Sequence, residues 1–417
     1  MKEKNFHPLF EWVLGHRWEP SMNIIFLGYA IEKVEASHLY GASVAGNKMQ
    51  INVLKELSKY KKLKLNSVTV YPVAAYPRGK IYIKKERIRL FPNFYSKKIS
   101  FLNLPIIKQL FQSISVYQEG RKIIKKNKNR VILTFNMFPV IGLPAVLLKK
   151  RYGCKIVSIL ADLPIDDTLN RKIVGVFFRM IFDLLTKYLI KKCDKLIVLN
   201  ENAIKEFAPN IDNIVIEGGI DDEDVTKLVT YEKKKKIILY SGALVWYSGI
   251  LNLVEAMKYV IDDDAILHIY GGGQLANQIK EITNKRSNVI YQGKVDNERM
   301  KILQQEAYIL VNPRPITDPI SKVTFPSKIF EYMLSGSVVL TTRLNGFTPE
   351  YENKVFFVDS NEPDVLGEKI NEILKISYEE LKEFGLNARN FVIENKSWDR
   401  QCNKIVEFLE KGEKQTN

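Results

Sequence analysis

The sequence predicts an α/β protein made of two doubly wound, Rossmann-like halves, and three observations carry that expectation. Short apolar strand-like runs alternate with amphipathic helical stretches along the whole chain. At 417 residues and 46% hydrophobic content, the chain exceeds what one ordinary core encloses. The charge is also divided: residues 1–208 hold 37 Lys and Arg against 15 Asp and Glu, while residues 209–417 hold 26 against 32. Halves of opposite sign suit domains with different partners. The basic half should seek an anionic one, either nucleic acid or an anionic membrane surface.

The elements follow in order. Residues 1–21 carry charges throughout and lack the apolar run of a signal peptide; they read as an extension ahead of the fold or an over-long start. Strands are expected at 23–27, 67–71, 131–135, 155–160 and 195–199, with helices such as 48–59 and 143–151 between them. A boundary near 209–219 leads to strands at 236–240, 265–270, 288–291, 308–311 and 338–341, with helices such as 249–259 and 300–306. Cys154, Cys193 and Cys402 are scattered, as are the four histidines, so neither a disulfide framework nor a zinc site is supported and a reducing, cytosolic setting is expected.

Two stretches bear on membranes. The run 173–190 is apolar but interrupted by Arg179, Asp183 and Lys187, which argues against a span and for an amphipathic helix. A core-facing helix is the first reading, and contact with lipid the second. The basic run 121–130 follows the apolar, Lys-studded segment 94–111, which reads either as a solvated face or as a surface lying on anionic lipid.

The most informative segment is Val311-Asn-Pro-Arg314-Pro, then Phe325-Pro326-Ser327-Lys328-Ile-Phe-Glu331-Tyr-Met-Leu-Ser-Gly336 and the strand after it. A helix is expected from about Pro326, with Thr324 as a candidate N-cap. Its first amides and positive dipole end suit a diphosphate, with Lys328 adding charge. Glu331 lies one turn on, about 6 Å along the axis from Ser327, a span that fits a ribose diol attached to that diphosphate. The plainer reading leaves Glu331 facing solvent.

Pro326-Ser-Lys-x-x-Glu331-Tyr-Met-x-x-Gly336 followed by Val-Val resembles the nucleotide-binding segment of retaining family-4 glycosyltransferases. Other pieces fall in the same order: Gly41-Ala-Ser-Val-Ala-Gly46-Asn47-Lys48, Ala161-Asp162-Leu-Pro, Glu217-Gly-Gly-Ile-Asp221, Tyr240-Ser-Gly242, Ile269-Tyr-Gly-Gly-Gly273 and Gln292-Gly-Lys-Val295. The resemblance implies a GT-B fold, two Rossmann-like domains facing across a cleft. Residues 22–208 would bind acceptor, residues 209–386 a nucleotide diphosphate-sugar, and a last helix near 387–414, with Trp398, would pack back on the first domain. It also implies donor contacts from Glu331 to ribose, Val295 to the base, and Ser327 and Lys328 to the diphosphate, with Pro326, Gly242 and Lys322 also on the donor side. Asp162 would face the donor sugar, and Gly41, Gly46 and Asn47 would form a glycine-rich loop on the acceptor side.

The sequence departs from that family at Val323, where many members have a sugar-contacting Glu, and at Ala243 and Ser248, where many have an Arg and a Lys that clamp the diphosphate. Arg314, Lys322 and Lys328 are candidate replacements, since leaving-group charge must be stabilised; Arg314 has an alternative reading as a structural residue at a strand end. No cofactor is expected, and no metal, because Asp221–Asp224 and Asp262–Asp264 read as turns. Expected partners are a nucleotide-sugar donor, a lipid-linked or saccharide acceptor and an anionic membrane surface on the inner face of the cell membrane. A GT-B nucleotide-sugar epimerase and a basic nucleic-acid binder are the competing readings; no base-stacking module is evident for the latter.

Overall fold

The protein, seen as a computed structural model, is described over residues 21–39, 42–105, 107–125, 129–163, 173–225 and 235–411. Residues 1–20, Gly41 and Pro164 lie outside the described residues, as do 126–128 of the basic run.

Two parallel sheets organise the chain. In the first half the strands are β1 (Met22–Gly28), β2 (Leu63–Thr69), β3 (Tyr82–Ile83), β4 (Glu86–Phe91), β5 (Phe94–Lys98), β6 (Phe101–Leu102), β7 (Arg130–Phe135), β8 (Lys155–Leu160), β9 (Lys195–Val198) and β10 (Asp212–Val215). Eight of them form one sheet in the order β10-β9-β8-β7-β1-β2-β5-β4, parallel except for the β4–β5 hairpin, while β3 and β6 pair by themselves. The second half contributes β11 (Ile237–Ala243), β12 (Ile266–Gly272), β13 (Val289–Gly293), β14 (Ile309–Asn312), β15 (Val338–Thr342) and β16 (Phe356–Val358), in the all-parallel order β13-β12-β11-β14-β15-β16.

Strand β1 shows why its sequence is continuously apolar. Ile25 and Leu27 enter the core beneath the helices Lys108–Ile124, Pro139–Tyr152 and Ile173–Ile190, whereas Ile24 and Phe26 enter the core on the opposite face. A strand covered on both faces cannot alternate polar and apolar residues. That opposite face is closed by the helix Val44–Leu57 and by Trp398–Glu410, which brings Trp398, Cys402, Ile405 and Leu409 from the far end of the chain.

Several expectations change. The first sheet runs on through β10, past the 208/209 boundary. The C-terminal stretch is two helices, Tyr378–Asn395 and Trp398–Glu410, and Ser397 caps the second by accepting from the Arg400 amide. Segment 94–111 is divided: Phe94 stacks on Phe91 at 4.8 Å and Phe101 is buried, while Tyr95, Ile107 and Leu110 are exposed. The helix Ile173–Ile190 buries Asp183, Thr186, Leu189 and Ile190 but exposes Met180, Ile181, Leu184 and Tyr188, so it has both a core face and an open one. The three cysteines are free and buried. Among the described residues no helix is long and apolar enough to cross a membrane.

The chain crosses between the halves twice, and the crossings touch. Ile220 bridges to Ser397, with the Ile220 amide donating to Lys396 O at 2.9 Å and the Trp398 amide to Ile220 O at 3.2 Å. Beside them Glu217, buried, accepts from the Lys396 ammonium and from the Tyr351 hydroxyl at 2.6 Å; Lys396 also pairs with Glu350 at 2.8 Å.

Candidate active site

In an open parallel sheet, ligands settle at the carboxyl ends of strands where the strand order reverses. In the first sheet that point lies between β1 and β7, and in the second between β11 and β14. Both are where the chemistry-bearing residues gather.

At the first switch point is a cavity of about 350 Å³, whose walls include Tyr29, Gly46, Asn47, Lys108, Asn136 and Asp162. Asn136 follows β7 with φ 61°, the left-handed region that Asn tolerates. In that pose its Oδ1 accepts from the amides of Ala161 (2.8 Å) and Asp162 (3.0 Å), and its Nδ2 donates to Asp162 Oδ2 at 3.0 Å. Asp162 is thereby fixed at the end of β8. Its residue surface is open to solvent, yet the cavity walls desolvate the carboxyl; burial raises its pKa and the Asn136 bond opposes the rise. Burial, then the charge of Asp162, pushes the Tyr29 phenol up as well. Lys108 donates to Val73 O, and desolvation lowers its pKa.

Gly46 sits in the first turn of Val44–Leu57, where its amide donates to Ser43 Oγ; a Cβ there would lie 3.0 Å from that oxygen and 3.5 Å from the Phe135 ring. Asn47 lines the cavity, but its amide is committed: Oδ1 accepts from the Ile31 amide and Nδ2 donates to Ile31 O. Asn47 therefore anchors the loop after β1.

At the second switch point the helix Lys328–Ser335 turns its apolar face inward, burying Ile329, Phe330, Tyr332, Met333 and Leu334. The Tyr332 hydroxyl accepts from the Ser241 amide (2.9 Å) and donates to Ser241 O (3.1 Å), fixing the helix to β11. The N-cap is Ser327, exposed, not Thr324; the latter closes the preceding helix Pro319–Val323 by donating to Ile320 O at 2.7 Å. Pro326 is buried, and its carbonyl accepts from the Ile329 amide at 2.9 Å.

Lys328 Nζ lies 2.7 Å from Glu331 Oε2. The Glu331 side chain is 41% exposed, but enough protein surrounds it to desolvate the carboxylate. Desolvation works to raise its pKa; the Lys328 and Lys48 ammonium groups outweigh it and hold the carboxyl below its ordinary range. Lys48 comes from the other domain. Its Nζ stands 3.4 Å from both Asp221 and Asp224, and although desolvation opposes its charge, Asp221, Glu331 and Asp224 raise its pKa. Lys301 also pairs with Asp224 at 2.8 Å.

Arg314, just past β14, donates to Thr324 Oγ1 at 3.2 Å, beside the loop that enters the Glu331 helix. Among the described residues no carboxylate lies within ion-pair distance of it, and burial lowers its pKa. The strand ends meet here through glycine. A Cβ on Gly249 (φ 72°) would lie 1.8 Å from Pro313 O, and one on Gly271 (φ 138°) would lie 1.9 Å from Gly242 O. Val295, 37% exposed, follows edge strand β13 at the same end of the sheet. Lys322 is exposed, and its carbonyl accepts from Asn200 and Asn202 of the first domain. Ala243 and Ser248 supply no charge; Ser248 Oγ donates to Val245 O.

The named residues thus divide into two groups. Asp162, Gly46 and Asn47 line the first-domain cavity; Glu331, Lys328, Ser327, Pro326, Arg314, Gly242, Lys322 and Val295 ring the strand ends of the second domain. Sequence reasoning missed Asn136 and Lys48. Nothing but an Asn directly after an apolar run marks the first, while the second already stands in the glycine-rich segment.

Residues 221–391 match the family model described as Glycosyl transferases group 1. Sucrose-phosphate synthase from Thermosynechococcus elongatus superposes with a TM-score of 0.69 at 15% identity, over 94% of this chain and 98% of its own. HepE of Anabaena, solved in complex with UDP, superposes with a TM-score of 0.62 at 14% identity, over 93% and 100%. An uncharacterized glycosyltransferase of Methanocaldococcus jannaschii is 20% identical over 251 residues, 54% of this chain. The chain spans 60% of the length of that curated relative. The fold is GT-B, two Rossmann-like domains. The chain thus has the GT-B fold, and its C-terminal half carries the match to group 1 glycosyl transferases.

Proposed function

We propose that the protein transfers a glycosyl group from a nucleoside diphosphate-sugar to an acceptor hydroxyl, with retention and without a metal, after the manner of family-4 enzymes. The observation that carries this reading is the Lys328–Glu331 pair at the start of a helix standing on the switch point of the second sheet. The first-turn amides and Lys328 receive the diphosphate, and Glu331 accepts from the ribose hydroxyls. That HepE was solved with UDP-glucose supports a nucleotide sugar as donor.

The anomeric carbon–oxygen bond to the diphosphate breaks, and a bond to the acceptor oxygen forms. The acceptor proton leaves with the departing diphosphate or with solvent. Negative charge grows on the leaving group, where Lys328 and Arg314, with Lys322 nearby, stabilise it. Asp162, held by Asn136, positions the donor sugar or assists at the anomeric centre. The acceptor is a lipid-linked saccharide of cell-surface polysaccharide assembly, and the enzyme works at the inner face of the cell membrane; the basic first half supports this reading.

The test is a thermal-shift screen of the purified chain against UDP, GDP, ADP and CDP and their sugars, followed by incubation of the stabilising donor with and without acceptor. Stabilisation by one nucleotide family and acceptor-dependent release of its diphosphate are expected. No stabilisation by any of them, or epimerisation of donor alone, would defeat the reading.

A further inference from the structure

Three helices lie side by side over one face of the first sheet: Lys108–Ile124, Pro139–Tyr152 and Ile173–Ile190. Small residues bring them close. A Cβ on Gly120 would meet Leu148 at 2.7 Å, and one on Gly142 would meet Leu189 at 2.9 Å. Their inner faces are core. Their outer faces repeat one pattern: Leu110 and Ile114 on the first, Leu143 and Leu147 on the second, Met180, Leu184 and Tyr188 on the third, all 37% to 60% exposed. The spacings of four and eight residues put each set on a single helical stripe. Neighbouring stripes on three adjacent helices make a shared apolar surface rather than scattered residues.

The charge on this layer has one sign. Between them the three helices contain only two carboxylates, Glu119 and Asp183, and both are buried and ion-paired, to Lys85 and Lys122 and to Arg179. At the same ends of the second and third helices stand Lys150, Arg151 and Lys191, exposed and without a carboxylate within ion-pair distance among the described residues. An apolar surface rimmed by cations and free of exposed carboxylates complements an anionic lipid interface: side chains enter the acyl boundary while ammonium and guanidinium groups meet headgroups. The same three helices wall the Asp162 cavity through Lys108, Val140 and Phe182.

We infer that the outer face of this three-helix layer seats the protein on an anionic lipid bilayer. The inference gives the lipid-linked acceptor of the proposed function a surface to come from and rests on that reading only for its purpose. Flotation with vesicles of mixed phosphatidylglycerol and phosphatidylcholine, against phosphatidylcholine alone, tests it. The full chain should bind the anionic vesicles and lose binding as salt rises. The variant Leu110→Gln/Leu147→Gln/Leu184→Gln should bind at least ~10-fold more weakly. The variant Lys150→Ala/Arg151→Ala/Lys191→Ala should also weaken and lose most of the salt dependence. Both should keep the wild-type melting temperature and nucleotide-induced thermal shift, which separates a lost surface from a lost fold. Three results would overturn the inference: wild type that ignores anionic vesicles, a triple-Leu variant that binds them as wild type does, or a wild-type dimer that this variant converts to monomer. Vesicle binding by a protein that no nucleotide stabilises would sink the transferase reading and leave this one standing.

Discussion

Asn136 holds Asp162 by two bonds at once, side chain to carboxylate at 3.0 Å and backbone amide to side chain at 3.0 Å. Residues from the ends of two neighbouring strands are thereby locked into one unit at the wall of a cavity.

Burial raises the Asp162 pKa, and the Asn136 bond pulls it down. A carboxylate that acts when ionised gives activity that falls as pH drops through its folded-state pKa. Asn136→Ala removes the opposing bond, so the acid limb of the kcat/KM profile should move to higher pH. Asp162→Asn should abolish that limb and lower kcat ~10²-fold or more. The stability sign is separate. A carboxyl raised in the folded state contributes stability that is full below its unfolded pKa and lost as pH climbs through the folded one. Melting curves of Asp162→Asn should therefore lack that loss.

Lys328 and Glu331 should separate by kinetic parameter. Lys328→Ala removes charge from the leaving-group site and should cut kcat ~10²–10³-fold. Glu331→Ala removes two acceptors for a diol and should weaken donor binding ~10–100-fold, read as Kd by titration. A Glu331→Ala protein with unchanged donor affinity would place the ribose elsewhere.

Lys48 couples the domains. Its removal leaves Asp221 and Asp224 without that cation and lets the Glu331 pKa rise, since Lys48 helps to hold it down. Lys48→Met should raise the donor Kd and make it more pH-dependent on the acid side. Its effect on melting temperature should be small, because the partly exposed pairs it breaks contribute about 1 kcal/mol or less.

At the crossing, Lys396→Met leaves Glu217 buried without its cation and should destabilise the protein by ~3–5 kcal/mol in denaturant titration. The double variant Glu217→Leu/Lys396→Met should recover much of the loss, because an apolar pair no longer carries a desolvated charge.

Legibility in the sequence followed the physics of burial. The ten expected strands are all found, because parallel strands covered on both faces must be apolar runs such as Ile24-Ile-Phe-Leu27. The β4–β5 hairpin escaped because its strands are charged: Arg87 and Arg89 lie on the edge strand β4, where charge is tolerated, and Lys97 and Lys98 on the strand beside it. The helix carrying Lys328 and Glu331 is readable from its Pro-Ser start and Gly336 stop, although Thr324, a residue type suited to an N-cap, closes the helix before it. Asn136 was not readable, since its role depends on a left-handed φ and on a strand brought alongside by the fold. Lys48 was visible as a motif member, but its partners sit 173 and 176 residues away, and no local pattern encodes that meeting.

The helix Trp398–Glu410 supplies the outer half of a hydrophobic layer begun by β1 and Val44–Leu57. During synthesis, β1 and Val44–Leu57 must therefore wait for a segment that leaves the ribosome more than 300 residues later. Until then Phe26, Leu54 and Leu57 have an open flank, and a nascent chain in that state is a natural client for a chaperone. Trimming at residue 386, which looks like a clean cut between modules, would make the vulnerable interval permanent.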